Sequence, residues 1–277
     1  MTLLQATLLG IIQGLTEFIP VSSTAHLLIG QQLLGIPAND AVFSFLILVQ
    51  WGTLVSLFIY FWEDLLNIAK AFLTSLRDFR SLKDFGSLSG DARLAWYIII
   101  ATIPALLVGY LLKDALEKLF STPLLAASIR LFAAAILLSL AEWLGKRKRN
   151  LTEMTKLDAL MVGIFQVFAV FPGASRSGST IAGGMLRGFT RESAAKFAFL
   201  MSIPVMLAAG AYESLDLLKT PGLGEFITTL LVGFIVAAIV GWLAIRWLMD
   251  YLNKNSLYSF AIYCALVGAI TLGVYLS

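Results

Sequence analysis

Apolar residues dominate this chain, and the way polar positions interrupt them sets its organisation. Six stretches are apolar enough to cross a bilayer, roughly 42–62, 94–112, 125–144, 193–213, 226–249 and 258–276. Each approaches the ~20 residues that a hydrocarbon core of ~30 Å demands. Two further apolar regions are broken. Residues 3–19 and 24–34 flank Pro20-Val21-Ser22-Ser23, and 158–171 and 178–188 flank Pro172-Gly173-Ala174-Ser175. Paired short helices around a broken midpoint predict re-entrant hairpins, which are stable at membrane depth only when buried in protein or lining a wet cavity.

The two breaks resemble each other. GIIQGLTEFIPVSSTAH (Gly10 to His26) aligns with GIFQVFAVFPGASRSGST (Gly163 to Thr180), so that Gly10 meets Gly163, Gln13 meets Gln166, Phe18 meets Phe171 and Ser23 meets Ser175. The similarity runs on, with FSFL at 43–46 echoed by FAFL at 197–200. The chain therefore reads as two repeats, 1–150 and 151–277, each a hairpin followed by three spans. An odd number of spans inverts the second repeat relative to the first, a transporter-like arrangement. The expected fold is an all-α polytopic membrane protein with one integral membrane domain.

Composition and charge refine this picture. The chain is 59% hydrophobic and 13% charged, with a mean hydropathy of +0.87, which excludes an ordinary soluble domain. The single cysteine, Cys264, excludes intrachain disulfides and reads as a small core residue. The N-terminus lacks the basic region and cleavage site of a removed signal peptide. Basic residues concentrate at 63–93, 145–157, 187–192, 250–257 and the adjoining helix ends, against Lys113, Lys118 and Lys219 on the other side. The positive-inside rule makes the rich side cytoplasmic, leaving both termini and the first hairpin's mouth outside. The KRKR run at 146–149 reads as a topology anchor, not a nucleic-acid site. Residues 63–93 are expected to include an interfacial helix, and Arg130, near the start of a span, is expected to snorkel.

Polar groups at membrane depth mark function. Gln13 and Glu17 are four apart on one helical face, beside Gly10 and Gly14, which let a backbone or ligand come close. Ser22, Ser23 and Thr24 precede a helix, where hydroxyls are also natural N-caps, and His26 is the chain's sole histidine. In the second copy Ser175, Arg176 and Ser177 lie between Gly173 and Gly178, with Thr180 following. A glycine-rich turn into a helix N-terminus suits an anion, and Arg176 adds a planar fork for phosphate oxygens, with pairing to Glu17 as its structural alternative. One copy supplies carboxylate and imidazole, whereas the other has Val170 at the Glu17 position and supplies guanidinium. That division suits phosphoryl chemistry. GASRSG is not a nucleophile elbow, no P-loop is present, and H-E-x-x-H is impossible with one histidine.

At these residues the chain resembles the undecaprenyl-diphosphate phosphatase family, also called the bacitracin-resistance proteins. The first family motif is met by Gln13, Glu17, Pro20 to Thr24 and His26, and the second by Pro172, Gly173, Ser175, Arg176, Ser177 and Thr180. Many relatives have glutamate where this chain has Gln13. The resemblance implies a hydrolase of the bacterial plasma (inner) membrane that acts on a polyprenyl diphosphate lipid. Its product is the monophosphate carrier of peptidoglycan synthesis, and bacitracin resistance follows. It also implies a divalent cation, Mg²⁺ or Ca²⁺, at Glu17 and Gln13. Arg176, Ser175, Ser177 and Thr180 would clamp the diphosphate together with Gln13, Ser22 and Thr24. Glu17 would hold the cation or orient a proton acceptor, and Ser23, activated by His26, or His26 itself would attack phosphorus. A transporter or flippase for the same lipid is the rival reading, with a channel as a third. The sequence leaves a homodimer open.

Overall fold

A computed structural model describes residues 1–37, 40–77, 85–112, 123–169, 175–217 and 223–277. Val170, Phe171, Pro172, Gly173, Ala174, Lys113, Lys118 and Lys219, named above, lie outside the described residues. Eleven α-helices occur among those described: α1 Leu3–Phe18, α2 Ser23–Leu33, α3 Asp40–Tyr60, α4 Trp62–Arg77, α5 Gly90–Leu111, α6 Pro123–Leu144, α7 Lys156–Phe168, α8 Arg176–Leu186, α9 Arg191–Leu217, α10 Leu223–Lys254 and α11 Tyr258–Leu276.

Among the described residues, four helices are long and apolar enough to span a membrane: Gly90–Leu111, Pro123–Leu144, Ile227–Lys254 and Tyr258–Leu276. The stretches expected at 42–62 and 193–213 exist as α3 and α9. The described apolar part of α3 is the shorter Leu48–Tyr60. The break after Phe18 is present, and on either side of the undescribed residues 170–174 one helix ends at Phe168 and the next begins at Arg176. Helices α1 and α2 hold 16 and 11 residues, α7 and α8 hold 13 and 11. At ~1.5 Å per residue none of the four crosses a ~30 Å core alone.

In lipid there is little hydrophobic drive between helices, so small residues decide which surfaces meet. Helix α1 lies along α10. A Cβ at Gly10 would stand 2.8 Å from the Gly233 carbonyl oxygen, and one at Gly14 would stand 2.8 Å from Val240 Cβ. The glycine pair thus serves a neighbouring helix. Gly163, the counterpart of Gly10, does the same for α7 on α5, where a Cβ would come within 2.5 Å of the Ala101 carbonyl oxygen. Helix α11 docks on α6, with Ser128 Oγ donating to the Gly268 carbonyl at 2.9 Å.

Helix α4 is the amphipathic element expected within 63–93. Phe72 stacks edge-on against Trp96 of α5 at 5.2 Å, while Leu66, Leu73 and Leu76 remain exposed. Two arginines of the basic run at 146–149 hold buried carboxylates. Arg149 donates to both carboxylate oxygens of the buried Asp158, at 2.7 and 3.2 Å, and Arg187 donates to the same carboxylate at 2.7 Å. Hydrogen bonding to Asp158 holds the Arg149 guanidinium above its ordinary range. Arg147 and Arg191 pair with the buried Glu142 at 2.9 and 2.6 Å. These clusters tie the base of α7 and the start of α9 to the end of α6. Arg130 does not snorkel; its side chain is buried, because α6 turns that face into the bundle.

Candidate active site

The site is built where the breaks of the two short-helix pairs meet. Helix α1 ends at Phe18, and the chain turns through Pro20 into Ser22, whose φ of +70° lies in the left-handed region. For a non-glycine residue this costs ~1–3 kcal/mol. Two hydrogen bonds hold it, since the Ser22 carbonyl accepts from His26 N at 3.2 Å and lies 2.9 Å from His26 Nδ1. The Ser22 side chain makes no capping bond to α2, so capping does not explain this hydroxyl. In the second pair Ser175 does cap α8, its Oγ accepting from Gly178 N at 3.2 Å. The N–H groups of the first turn of α8 project from the helix end, as helix geometry requires.

Glu17 is the hub. The residue is 8% exposed, and every partner of its carboxylate is a donor. Gln13 Nε2 donates to Oε2 at 2.9 Å, Ser23 Oγ donates to the same oxygen at 2.7 Å, and Arg176 Nη2 pairs with Oε1. The ion pair joins the two helix pairs, and further contacts reinforce it. Ser177 Oγ donates to the Ile19 carbonyl at 3.4 Å, and a Cβ at Gly178 would lie 3.5 Å from the Pro20 carbonyl oxygen. The end of α1 and the start of α8 thus come together.

The other expected residues divide. Ser175 and Ser177 share a hydroxyl–hydroxyl contact of 3.1 Å beside Arg176. Thr180 Oγ1 donates back to the Arg176 carbonyl at 2.8 Å, so it orders the first turn of α8 from within the helix. Thr24 is exposed. His26 bonds neither Glu17 nor Ser23 among the hydrogen bonds of the described residues; its Nε2 lies 2.8 Å from the Tyr263 hydroxyl of α11. Sequence reading missed Tyr263, because a single tyrosine in an apolar span carries no local signal.

Among the described residues there is no group of three or more His, Cys, Asp or Glu side chains placed to bind a metal. Gln13 Oε1, however, is fully buried without a hydrogen-bond partner, on the residue that bonds Glu17. An unpaired buried amide oxygen beside a carboxylate is a hard-donor set suited to Mg²⁺ or Ca²⁺, which take oxygen ligands. The donors fit a cation completed by substrate oxygens and water, not an all-protein cage.

Two pairs of short helices place a carboxylate, hydroxyls and a guanidinium together inside an apolar helical bundle. Residues 6–270 match the family described as bacitracin resistance protein BacA. The chain belongs to that family. It is similar to a protein of Alkaliphilus metalliredigens named undecaprenyl-diphosphatase, 41% identical over 98% of both chains. A protein of the same name from Anaeromyxobacter sp. (strain K) is 42% identical, over all of this chain and 93% of its own. Another, from Methanobrevibacter smithii, is 39% identical over 98% of this chain and 96% of its own.

Proposed function

We propose that this protein is an integral membrane phosphatase that hydrolyses undecaprenyl diphosphate to undecaprenyl phosphate and inorganic phosphate. It would thereby return the lipid carrier to cell-wall synthesis and confer bacitracin resistance. The observation that carries the reading is the meeting of Gln13, Glu17 and Ser23 with Arg176 across the two helix pairs, in a chain whose similar relatives are named for this reaction.

The chemistry follows from the contacts. Without substrate, Arg176 and Glu17 neutralise one another, which a largely buried carboxylate needs. A terminal phosphate at the N-terminus of α8 draws the Arg176 fork onto its oxygens, where it and the helix N–H groups stabilise charge that grows on the equatorial oxygens. Glu17, released from the ion pair, accepts the proton that Ser23 already directs at it across 2.7 Å. Ser23 Oγ forms a bond to phosphorus as the bridging P–O bond breaks, and undecaprenyl phosphate leaves. Water then hydrolyses the phosphoserine, giving inorganic phosphate and restoring the hydroxyl. This geometry favours Glu17 over His26 as proton acceptor for Ser23, and leaves His26 Nε2 to act on the phosphate side. A divalent cation held by Gln13 Oε1 and Glu17 would supply further neutralisation of the diphosphate.

The same reading covers the architecture. The supporting feature is the matched packing of α1 on α10 and α7 on α5 through Gly10 and Gly163. Residues 1–150 and 151–277 form two inverted repeats, each with a re-entrant hairpin and three spans. The Asp158 and Glu142 clusters lie on the cytoplasmic side, and the site and both termini face outward. A transporter of the same lipid would share the repeat, but the relatives above are named for hydrolysis. Purified protein in detergent, given undecaprenyl diphosphate, tests the proposal: phosphate release without a two-sided membrane supports the hydrolase, and its absence refutes it.

A further inference from the structure

His26 has partners on two elements from opposite ends of the chain. A carbonyl oxygen only accepts, so the 2.9 Å contact with Ser22 places the proton on Nδ1. In the neutral ring Nε2 then carries the lone pair, and the Tyr263 hydroxyl 2.8 Å away donates to it. The two rings are nearly parallel, 8° apart in plane with centroids 5.6 Å apart. The helix that carries Tyr263 is fixed on two sides. Its helix is fixed to α6 by the Ser128–Gly268 bond, and the next residue, Cys264, points its Sγ at the Pro20 carbonyl oxygen, 3.9 Å away. Helix α11 is thus registered against the same turn that places His26.

We propose that Tyr263 is a positioning residue for His26. With Nδ1–H fixed by the Ser22 carbonyl, it sets the plane of the imidazole and the hydrogen bonding of Nε2, the reactive nitrogen. A hydroxyl suits this task better than a fixed donor. It donates to the neutral ring, and by rotating its O–H it accepts from Nε2–H once the ring is protonated, so one contact serves both charge states. The inference rests on the reading that His26 acts on the phosphate.

His26 is the sole histidine, so protein labelled with ¹⁵N-histidine and purified without a polyhistidine tag gives one imidazole spectrum. The wild type should show a protonated Nδ1 and an Nε2 that accepts a hydrogen bond. Tyr263→Phe should move the Nε2 resonance toward that of an unbonded ring nitrogen and leave Nδ1–H in place. It should also lower kcat about tenfold with KM within about twofold, at unchanged melting temperature. An unchanged Nε2 resonance overturns the proposal, as does a shifted one with unchanged kcat. If His26→Ala keeps full phosphate release, the reading beneath the proposal fails and the proposal with it. If His26→Ala loses activity while Tyr263→Phe changes nothing, the proposal alone fails.

Discussion

Arg176 and Glu17 are 159 positions apart in the chain and meet as an ion pair between the tips of two helix pairs. Neither tip can be complete alone, because one holds the carboxylate and the other the only guanidinium that reaches it among the described residues. Arg176→Lys should therefore be far from conservative. The ammonium keeps the charge but loses the fork, and kcat/KM should fall by about 10²- to 10³-fold. Steady-state phosphate release on folded protein checks this.

Ser23 donates to Glu17 at 2.7 Å, and the proposed mechanism gives that hydroxyl the attack on phosphorus. Ser23→Ala should reduce kcat by about 10³-fold or more, in the range expected when a nucleophile and its base act as a unit. Acid-quenched protein incubated with substrate should carry phosphoserine. An acid-labile phosphohistidine in its place would move the attack to His26.

The close packing of Gly163 on α5 makes it a structural test of the paired helices. Gly163→Ala pushes a methyl group into the Ala101 backbone, 2.5 Å away, and backbone cannot yield as a side-chain tip can. Overpacking of this kind costs ~1–3 kcal/mol. Gly90→Ala, with nothing within 4 Å of its Cβ, is the control and should leave the melting temperature in detergent unchanged.

Asp158 is fully buried beneath Arg149, Arg187 and Thr155. Asp158→Asn removes the charge that two guanidinium groups share. Breaking such buried pairing costs ~3–5 kcal/mol. The expected result is a large drop in thermal stability, with kcat of the remaining folded enzyme within a few-fold of wild type.

Orientation can be read at Thr24, which is exposed beside the site. In a chain carrying Thr24→Cys, a membrane-impermeant thiol reagent should label whole cells or right-side-out vesicles. The native Cys264 is buried and should stay silent. Labelling only from the cytoplasmic face would invert the proposed topology.

Much of this was legible before any coordinates. Proline and clustered hydroxyls inside apolar runs cannot continue a helix, so the breaks after Phe18 and before Arg176 stood out, and the helices fall within two residues or so of the expected limits on the described side of each break. The i, i+4 spacing of Gln13 and Glu17 became a hydrogen bond. What could not be read was long-range partnership. Nothing near Tyr263 distinguishes it from tyrosines elsewhere in apolar helices, and its contact with His26 exists only because α11 returns to the turn after α1. Glu142 and Asp158 are ordinary acidic residues in sequence, and only folding gathers arginines around them. Arg130 misled because its position along a span says how near the end it lies, not which way the helix faces.

In the proposed function two unequal helix ends, one with Glu17 and one with Arg176, make one phosphatase site. The direct measurement is inorganic phosphate released from undecaprenyl diphosphate in detergent by wild-type protein, Glu17→Gln and Arg176→Ala, each verified as folded. The account predicts sustained release by the wild type and a loss of about 10²-fold or more in both variants. No release by the wild type, or near-normal release by either variant, would contradict it.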